Sequence, residues 1–225
     1  MILSNGRHEL KHMVSYRDLT ELRQRLPCVA ERDKNDLYST GYRVRSLYFD
    51  NYTNKVLLEK INGVNGREKF RLRLYNDSTD FIRLEKKSKK NGLCYKKSAV
   101  ITADECRRLL EGDSSVLKEN GHPLMMELYV KMQSQLLRPQ NIVDYHREAF
   151  VFPAGNVRIT LDYDIRTALT AESFLNREIV TVPIPQTAIL EVKYDHYLPE
   201  IIRGMVQLSN RQSSAFSKYA VTRNI

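Results

Sequence analysis

Alternation of apolar and charged side chains over residues 67–97, interrupted by a short polar break, constrains the fold of this 225-residue chain more than any other feature. Phe70 and Leu72 belong to an apolar set at every second position, and charged side chains stand between its members. A period of two predicts β-strands with one apolar and one charged face. Asn91 and Gly92 form the dipeptide that best marks a tight hairpin turn. The stretch therefore predicts neighbouring antiparallel strands that share a cationic face.

The charged face of these strands holds mostly cations, with one carboxylate among them. Its predicted members are Lys69, Arg71, Arg73, Arg83, Glu85, Lys87 and Lys89. On the strand that follows the hairpin turn, Lys96 and Lys97 lie on opposite faces, so only one of them can join this surface. Cations crowded on one face repel each other unless an anion lies between them. The pattern fits either a solvated sheet face or a surface that binds anions.

The overall charge of the chain favours anionic partners. The net charge is +9 and the isoelectric point is near 9.4, which suits nucleic acid, phosphates or an anionic membrane surface. Three scattered cysteines indicate free thiols and not a disulfide framework. No apolar run reaches the roughly 20 residues that span a bilayer, and residues 1–12 lack the apolar core of a signal peptide. We expect a single cytoplasmic domain over residues 1–225 that does not insert into a membrane.

At least seven segments share the pattern of one charged and one apolar face, and amphipathic helices lie between them. Strands are predicted around residues 7–14, 42–50, 67–75, 82–89, 95–101, 141–152, 157–166 and 187–194. Helices are predicted around residues 16–26, 51–59, 102–110, 123–137 and 198–208. Residues 172–184 are ambiguous, with two prolines that favour an irregular segment, and the tail is short and polar. Helices that cover the apolar faces leave the charged faces to enclose a common space. This predicts an α+β fold in which a closed antiparallel β-barrel has a polar, basic lumen.

Three glutamates fall among the cations of this predicted lumen. Glu9, Glu85 and Glu191 each lie two residues from a lysine on the same strand face. Carboxylate oxygens suit hard divalent cations such as Mg²⁺ or Mn²⁺. Glu191 can equally serve as an ion-pair partner for a lumen lysine. Asp162 and Asp164 can also bind metal, but pairing with nearby arginines is favoured for both.

An ordered set of short motifs resembles the VTC (vacuolar transporter chaperone) domain, a branch of the triphosphate tunnel metalloenzymes. The motifs are Lys11 in the first strand, Arg71-x-Arg73, Glu85-x-Lys87, the basic strand after Asn91-Gly92, and the segments YHREAF, LDYDIR, ILEVKYD and SAFSKY. They cover nearly the whole chain in the order that the family has. The resemblance implies an eight-stranded antiparallel tunnel of the CYTH type, flanked by helices.

The resemblance also implies an activity, which is metal-dependent transfer of the γ-phosphate of ATP onto a growing inorganic polyphosphate chain. The catalytic, phosphate-binding side chains implied by it are Lys11, Arg71, Arg73, Lys87, Arg147 and Lys218. Further substrate-binding candidates are Arg45, Lys69, Lys97, Arg158 and Lys193. Glu191, with Glu85 and Glu9, would hold Mn²⁺ or Mg²⁺. The implied partners are ATP and inorganic polyphosphate or triphosphate, with no specific nucleic acid, and the oligomeric state stays open.

One departure from the wider superfamily bears on the reaction. The superfamily opens with Glu-x-Glu-x-Lys, whereas this chain has Arg7-x-Glu9-x-Lys11, so one carboxylate is missing. This disfavours a plain metal-dependent triphosphatase and agrees with the VTC branch. A triphosphatase acting on nucleotide or inorganic triphosphate stays an alternative, as does a non-catalytic module that binds polyphosphate or inositol phosphates. RNA binding is weaker, because aromatic side chains do not alternate with the basic ones as stacking platforms would.

Overall fold

The computed structural model of the protein describes residues 6–36, 40–185, 188–208 and 217–223. The strands in these ranges are β1 (His8–Val14), β2 (Glu31–Arg32), β3 (Tyr42–Asp50), β4 (Arg67–Tyr75), β5 (Ser78–Lys90), β6 (Leu93–Ile101), β7 (Arg138–Phe152), β8 (Val157–Ala168), β9 (Val182–Pro183) and β10 (Ala188–Tyr194). The helices are α1 (Tyr16–Arg25), α2 (Lys55–Ile61), α3 (Ala103–Leu110), α4 (Ser115–Glu119), α5 (Pro123–Ser134), α6 (Glu200–Val206) and α7 (Lys218–Thr222). The α+β class is confirmed.

Eight of the strands form one antiparallel sheet that curls strongly on itself. Their order is β1-β10-β8-β7-β3-β4-β5-β6, while β2 pairs with β7 and β9 pairs with β8. The edge strands β1 and β6 meet through a single antiparallel bridge, in which Arg7 and Cys94 exchange two backbone hydrogen bonds of 3.1 Å. The expected eight-stranded curled sheet is therefore present. The closed barrel is realised only in part, because one bridge and not a ladder joins the edges in the described residues.

Two tight turns fix the register of the basic strands. Asn91 and Gly92 both have positive φ (51° and 80°) between β5 and β6, as a two-residue hairpin loop requires. Asn76 and Asp77 do the same between β4 and β5, with φ of 50° and 54°. The predicted hairpin at residues 91–92 is confirmed, and the β4–β5 connection is shorter than the expected break at residues 76–80.

Helices cover the outer, apolar face of the sheet. Helices α3 and α5 pack on β4, β5 and β6, where the outward side chains Leu72 and Leu84 are fully buried. Helices α1 and α6 pack on β1, β10 and β8 around Leu190 and Val192. Burying each such side chain stabilises the fold by about 2 kcal/mol. The outer faces are thereby closed, and the charged faces turn inward.

The two capping boxes at helix starts show how local sequence sets these elements. Ser15 accepts a hydrogen bond from the Asp18 amide and opens α1, and Thr102 does the same with Glu105 at α3. Helix α7 was not predicted, since the sequence assigned no element to the short polar tail. None of the helices among the described residues has the length and apolar character needed to cross a membrane.

Helices α2 and α7 lie together at one end of the curled sheet. Asp50 accepts hydrogen bonds from the first amides of α2, at Val56 (2.9 Å) and Leu57 (3.1 Å). The same carboxylate accepts a 2.7 Å hydrogen bond from the Tyr219 hydroxyl of α7. Helix α7 is thus tied to the middle of the fold, and Ser217 and Lys218 line the inner cavity of the sheet.

Candidate functional site

The inner face of the sheet carries the cations that alternation predicted. On β4 the apolar members Phe70 and Leu72 are buried against the helices, so Lys69, Arg71 and Arg73 point inward. These three join cations from other strands around one interior cavity. Its lining consists of Lys11, Tyr48, Lys69, Arg71, Arg73, Lys87, Tyr145, Arg147, Glu191, Lys193, Ser217 and Lys218. All six side chains predicted to be catalytic lie together here.

Glu85 organises the β4–β5 wall of this tunnel. Its Oε2 atom lies 2.6 Å from Nη2 of Arg71 and 3.5 Å from Nη1 of Arg73, and its Oε1 atom contacts Lys96. Burial raises the pKa of Glu85, but the cations Arg73, Arg71 and Lys96 outweigh it and leave the pKa well below its usual range. Glu85 is therefore an ionised carboxylate that aligns two arginines. Its described contacts are with cations, and its sequence-based assignment as a metal ligand stays a prediction.

Asp162 plays the same part on the opposite wall. Arg147 donates two parallel hydrogen bonds to its oxygens, at 2.6 and 2.8 Å, and Lys218 contacts the carboxylate from α7. Burial raises the pKa of Asp162, but Arg147 and Lys218 lower it to about 2. The prediction that Asp162 pairs with an arginine is confirmed. Asp164 faces the other side of β8, 3.5 Å from Arg166.

The third wall, made by β1 and β10, alternates lysines and glutamates. Lys11 lies opposite Glu191 in the register, and Lys193 lies opposite Glu9. Lys11 Nζ is 3.0 Å from Glu191 and 3.5 Å from Glu9, so one ammonium group links both carboxylates. Lys193 lies 3.1 Å from Glu191. Burial raises the pKa of Glu9, but Lys87, 2.6 Å away, and Lys11 lower it to about 2.

Cations outnumber carboxylates in the tunnel. Among the described residues the lumen contains nine cations (Lys11, Lys69, Arg71, Arg73, Lys87, Lys96, Arg147, Lys193 and Lys218) and four carboxylates (Glu9, Glu85, Asp162 and Glu191). Each carboxylate lies in an ion pair with one or more of these cations. The excess positive charge, held in surroundings of reduced dielectric, attracts a polyanion strongly.

Two buried tyrosines line the tunnel and were not identified from the sequence. Arg71 Nη1 donates to the Tyr48 hydroxyl at 3.1 Å, and Arg73 Nη2 donates to the Tyr145 hydroxyl at 3.3 Å. The Lys218 ammonium lies 4.7 Å from the centre of the Tyr145 ring, a cation–π distance. Aromatic residues in strands usually reflect strand propensity, so the sequence offered no signal that separated these two from other tyrosines.

Two predicted substrate-binding residues lie outside the tunnel. Arg45 points to the outer face of β3, where it is almost fully buried beside Asp144 (2.9 Å) and Asp77 (2.8 Å). Lys97 pairs in register with Lys86, whose side chain contacts outer-face glutamates, so Lys96 is the lysine of β6 that faces inward. Alternation identified the two faces of each strand, but the register of the hairpin decided which face is the lumen.

A wider cavity of about 640 Å³ forms one mouth of the tunnel. Arg158 lies there, paired with Asp33 and donating a 3.2 Å hydrogen bond to the Tyr42 hydroxyl. Arg83 also lines this mouth, with its guanidinium 4.5 Å from the centre of the Phe81 ring. The predicted substrate-binding residue Arg158 is thus at the entrance and not at the centre.

The carboxylates provide a limited set of metal ligands. Within the described residues no group of three or more His, Cys, Asp or Glu side chains is placed to hold a metal ion. Glu9 and Glu191 nevertheless converge on Lys11, and the buried hydroxyl of Thr160, which faces Glu191 across the sheet, has no hydrogen-bond partner. Mg²⁺ is often held by one or two carboxylates together with substrate phosphates. Glu9 and Glu191 therefore fit a divalent ion that shares its coordination with a bound phosphate chain.

A comparison with known protein families agrees with this geometry. The model of the VTC domain family matches residues 6–225. The chain belongs to the VTC domain family. This membership agrees with the resemblance of the sequence motifs and with the curled cationic sheet.

Solved structures with the same fold extend the comparison. HpAC1 from Hippeastrum, for which a dominant triphosphatase activity is described, superposes on this VTC domain with a TM-score of 0.57. The two share 15% sequence identity over 97% of this chain and 95% of that one. The PH1012 protein of Pyrococcus horikoshii OT3 gives a TM-score of 0.52 at 11% identity, over 96% and 98% of the two chains. A search of curated proteins finds no match. At these identities the similar structures establish the fold of the VTC domain alone.

Proposed function

We propose that this VTC domain is a polyphosphate polymerase that moves the γ-phosphate of ATP onto an inorganic polyphosphate chain inside the tunnel. The observation that carries the proposal is the lumen itself, in which arginine and lysine side chains converge from β1, β4, β5, β7, β10 and α7. Arginine grips phosphate oxygens with two parallel hydrogen bonds, and lysine supplies a point charge. Membership of the VTC family supports the same reaction.

The reaction requires no nucleophile from the protein. A terminal oxygen of the acceptor chain forms a bond to the γ-phosphorus of ATP, the bond between that phosphorus and the β,γ-bridging oxygen breaks, and ADP leaves. Arg71 and Arg73, aligned by Glu85, would hold one side of the transferred group. Arg147 and Lys218 would hold the other side from the opposite wall. Positioning and electrostatic stabilisation account for most of the catalysis in phosphoryl transfer.

A divalent ion would add to this charge. Mn²⁺ or Mg²⁺ held by Glu9 and Glu191 would neutralise the negative charge of phosphate oxygens near β1 and β10. This wall needs the added positive charge because the two carboxylates offset part of the charge of its lysines. Lys11 contacts both carboxylates, so it would keep them oriented toward the lumen. Lys87 and Lys193 would then be free to contact phosphate oxygens that enter between them.

A triphosphatase is the second candidate. It would use the same phosphate contacts but would admit water in place of the acceptor chain. The 640 Å³ mouth gives solvent a path toward Arg71 and Arg147, both of which line it. The described triphosphatase activity of HpAC1, on the same fold, is in line with this candidate.

The deciding experiment incubates the purified protein with ATP and Mn²⁺ and resolves the products by chain length. A ladder of polyphosphate chains is expected, whereas free phosphate alone would indicate the triphosphatase. Neither product, together with retained tripolyphosphate binding, would indicate a binding module and overturn the proposal. Glu191→Gln should abolish turnover and keep metal-free tripolyphosphate binding. Lys97→Met, on the outer face, is the matched control and should behave as wild type.

A further inference from the structure

Tyr48 and Lys69 form a contact in the tunnel that the phosphate-binding residues do not account for. Tyr48 is 3% exposed, and the Lys69 ammonium lies 5.1 Å from the centre of its ring. Arg71 Nη1 donates to the Tyr48 oxygen at 3.1 Å. Because the arginine occupies a lone pair of that oxygen, the O–H of Tyr48 stays available as a donor to another group. Both side chains line the interior cavity.

The charged surroundings of this pair are dominated by cations. The titratable and charged groups that face it are Arg71 and Arg73 on β4, Glu85 and Lys87 on β5, Lys11 on β1, Tyr145 on β7 and Tyr219 on α7. Of these, Glu85 already pairs with Arg71 and Arg73. Lys11, Lys87 and Lys193 each have a carboxylate within 3.1 Å, whereas no carboxylate within the described part of the chain lies at ion-pair distance from Lys69.

These neighbours shift the pKa of both side chains into the neutral range. Burial raises the pKa of Tyr48, but the neighbouring Arg71, Lys69 and Arg73 outweigh it and lower the pKa to about 7. Burial lowers the pKa of Lys69, Tyr48 opposes the change, and Lys87 and Arg71 reinforce it, so that this pKa also comes to about 7. The empty tunnel therefore holds fewer protons on the pair than an unperturbed tyrosine and lysine would hold.

We propose that Tyr48 is a further phosphate-contacting residue of the tunnel, and that it shares protons with Lys69 so that the pair takes up a proton when a phosphate chain binds. The proton comes from solvent. Before binding, the pair carries either a tyrosinate beside an ammonium or a phenol beside a neutral amine. After binding, it carries a phenol that donates to a phosphate oxygen and an ammonium that faces the chain. No bond other than that to the proton is made or broken.

The driving force is the charge of the ligand. A bound polyphosphate brings several negative charges into a space where cations are in excess, and it favours the protonated form of every group nearby. Tyr48 and Lys69 respond most because they lie beside cations in the tunnel and no carboxylate of the described residues forms an ion pair with Lys69. The inference rests on the proposed function only in requiring that the tunnel accepts a phosphate chain.

Absorbance of tyrosinate tests the proposal directly, because the chain has no tryptophan to mask it. Without ligand and without metal, a tyrosinate signal is expected to titrate near pH 7, and saturating tripolyphosphate should suppress it. Tyr48→Phe should remove the signal. Tyr197→Phe is the matched control, since Tyr197 is 58% exposed, and it should leave the signal unchanged. A signal that persists in Tyr48→Phe, or that ignores tripolyphosphate, would overturn the proposal.

Two substitutions of Lys69 separate proton sharing from a structural role. Lys69→Arg keeps a fixed cation beside Tyr48 and should move the tyrosinate midpoint to lower pH. Lys69→Met removes the cation and should move the midpoint to higher pH. A merely structural lysine would leave the midpoint where it is in both variants, and that result contradicts proton sharing.

Calorimetry in buffers of different ionisation enthalpy measures the protons taken up on tripolyphosphate binding. Wild type is expected to take up about one proton more than the double variant Tyr48→Phe/Lys69→Met, which lacks both titrating groups, and the proton changes of the ligand cancel from this difference. Equal uptake with intact binding in both proteins would refute the inference and leave the proposed function standing. No tripolyphosphate binding by wild type would instead refute the proposed function and the inference that rests on it.

Discussion

At the scale of single residues, the tunnel depends on buried carboxylates that hold cations in place. Glu85 is 1% exposed and contacts Arg71, Arg73 and Lys96 at once. Removing one partner of a buried ion pair leaves the other partly uncompensated, which costs more than the pair itself contributes. The arginines of the tunnel therefore serve both folding and binding, and experiments must separate the two.

A comparison of the single variant Arg71→Ala with the double variant Arg71→Ala/Glu85→Gln separates the role in folding from the role in binding. Arg71→Ala should lower the free energy of unfolding by about 1–3 kcal/mol because Glu85 loses one of the three cations that it contacts. Affinity for tripolyphosphate should fall about 10- to 100-fold, since a charge-assisted hydrogen bond is lost. Neutralising Glu85 in the double variant should restore part of the stability but not the affinity. Denaturant titration and calorimetry measure the two quantities.

The control for this comparison is Arg107→Ala, which removes the same charge from a side chain that is 57% exposed on α3. It should change neither quantity beyond experimental error. If the double variant regains affinity together with stability, Arg71 acts only through the fold and is not a phosphate ligand.

Alternation in the sequence predicted most of these residues, and the misses on β3 have a physical cause. Arg71, Arg73 and Lys87 lie on strands whose other face is plainly apolar, so the period of two assigned them correctly. Both faces of β3 are buried, one by the helices and one by the tunnel. Its pattern therefore did not show that Arg45 points outward and Tyr48 inward.

At the scale of elements, short sequence motifs predict those features that depend only on residues close together in the chain. The two-residue turn at residues 91–92, the capping boxes and the amphipathic helices all follow from neighbours in sequence. Helix α7 does not, because it is five residues long and its position depends on the hydrogen bond from Tyr219 to Asp50, which are 169 residues apart. The meeting of β1 and β6 is equally non-local, and it could not be derived from either strand.

Gly6→Ala tests the contact between the edge strands. A Cβ at Gly6 would lie 2.9 Å from the Leu93 Cβ and 2.9 Å from the ring of Tyr95, closer than real Cβ atoms approach. The substitution should disturb the adjacent bridge from Arg7 to Cys94, and lower both the melting temperature and the affinity for tripolyphosphate. Thermal denaturation and hydrogen exchange of the Cys94 amide are the measurements.

Gly204→Ala is the matched control, since nothing lies within 4 Å of the position that its Cβ would take. It lies inside α6, where alanine favours the helix by about 1 kcal/mol over glycine. It should therefore be neutral or stabilising. A Gly6→Ala protein as stable as Gly204→Ala, with normal exchange at Cys94, would show that the edge contact adds little.

At the scale of the whole molecule, the described lumen, with nine cations and four carboxylates, encloses an excess of five positive charges in a chain whose net charge is +9. Repulsion between the lumen cations opposes folding, and a bound polyanion relieves it. A ligand at a hundred times its dissociation constant stabilises the native state by about 2.7 kcal/mol. Added salt should screen the repulsion in the empty protein and weaken the binding of tripolyphosphate. Stability and ligand affinity are therefore coupled through the same charges.

The ion pairs of the tunnel also determine how the free energy of unfolding depends on pH in acid. The pKa of Asp162 is about 2 in the folded protein and 3.8 when unperturbed, because Arg147 and Lys218 favour its ionised form over the effect of burial. As the pH falls, Asp162 is therefore protonated at a higher pH in the unfolded chain than in the folded protein. The stability that Asp162 contributes is complete above about pH 3.8 and is lost as the pH falls to about 2.

Asp162→Asn should lower the free energy of unfolding by about 2 kcal/mol at neutral pH and make it depend less on pH between pH 3.8 and 2. Urea denaturation across the pH series measures both effects, with Glu200→Gln, whose carboxylate is 85% exposed, as the control. If the Asp162→Asn protein loses stability between pH 3.8 and 2 as steeply as wild type does, the ion pairs of Asp162 are not the source of the acid sensitivity.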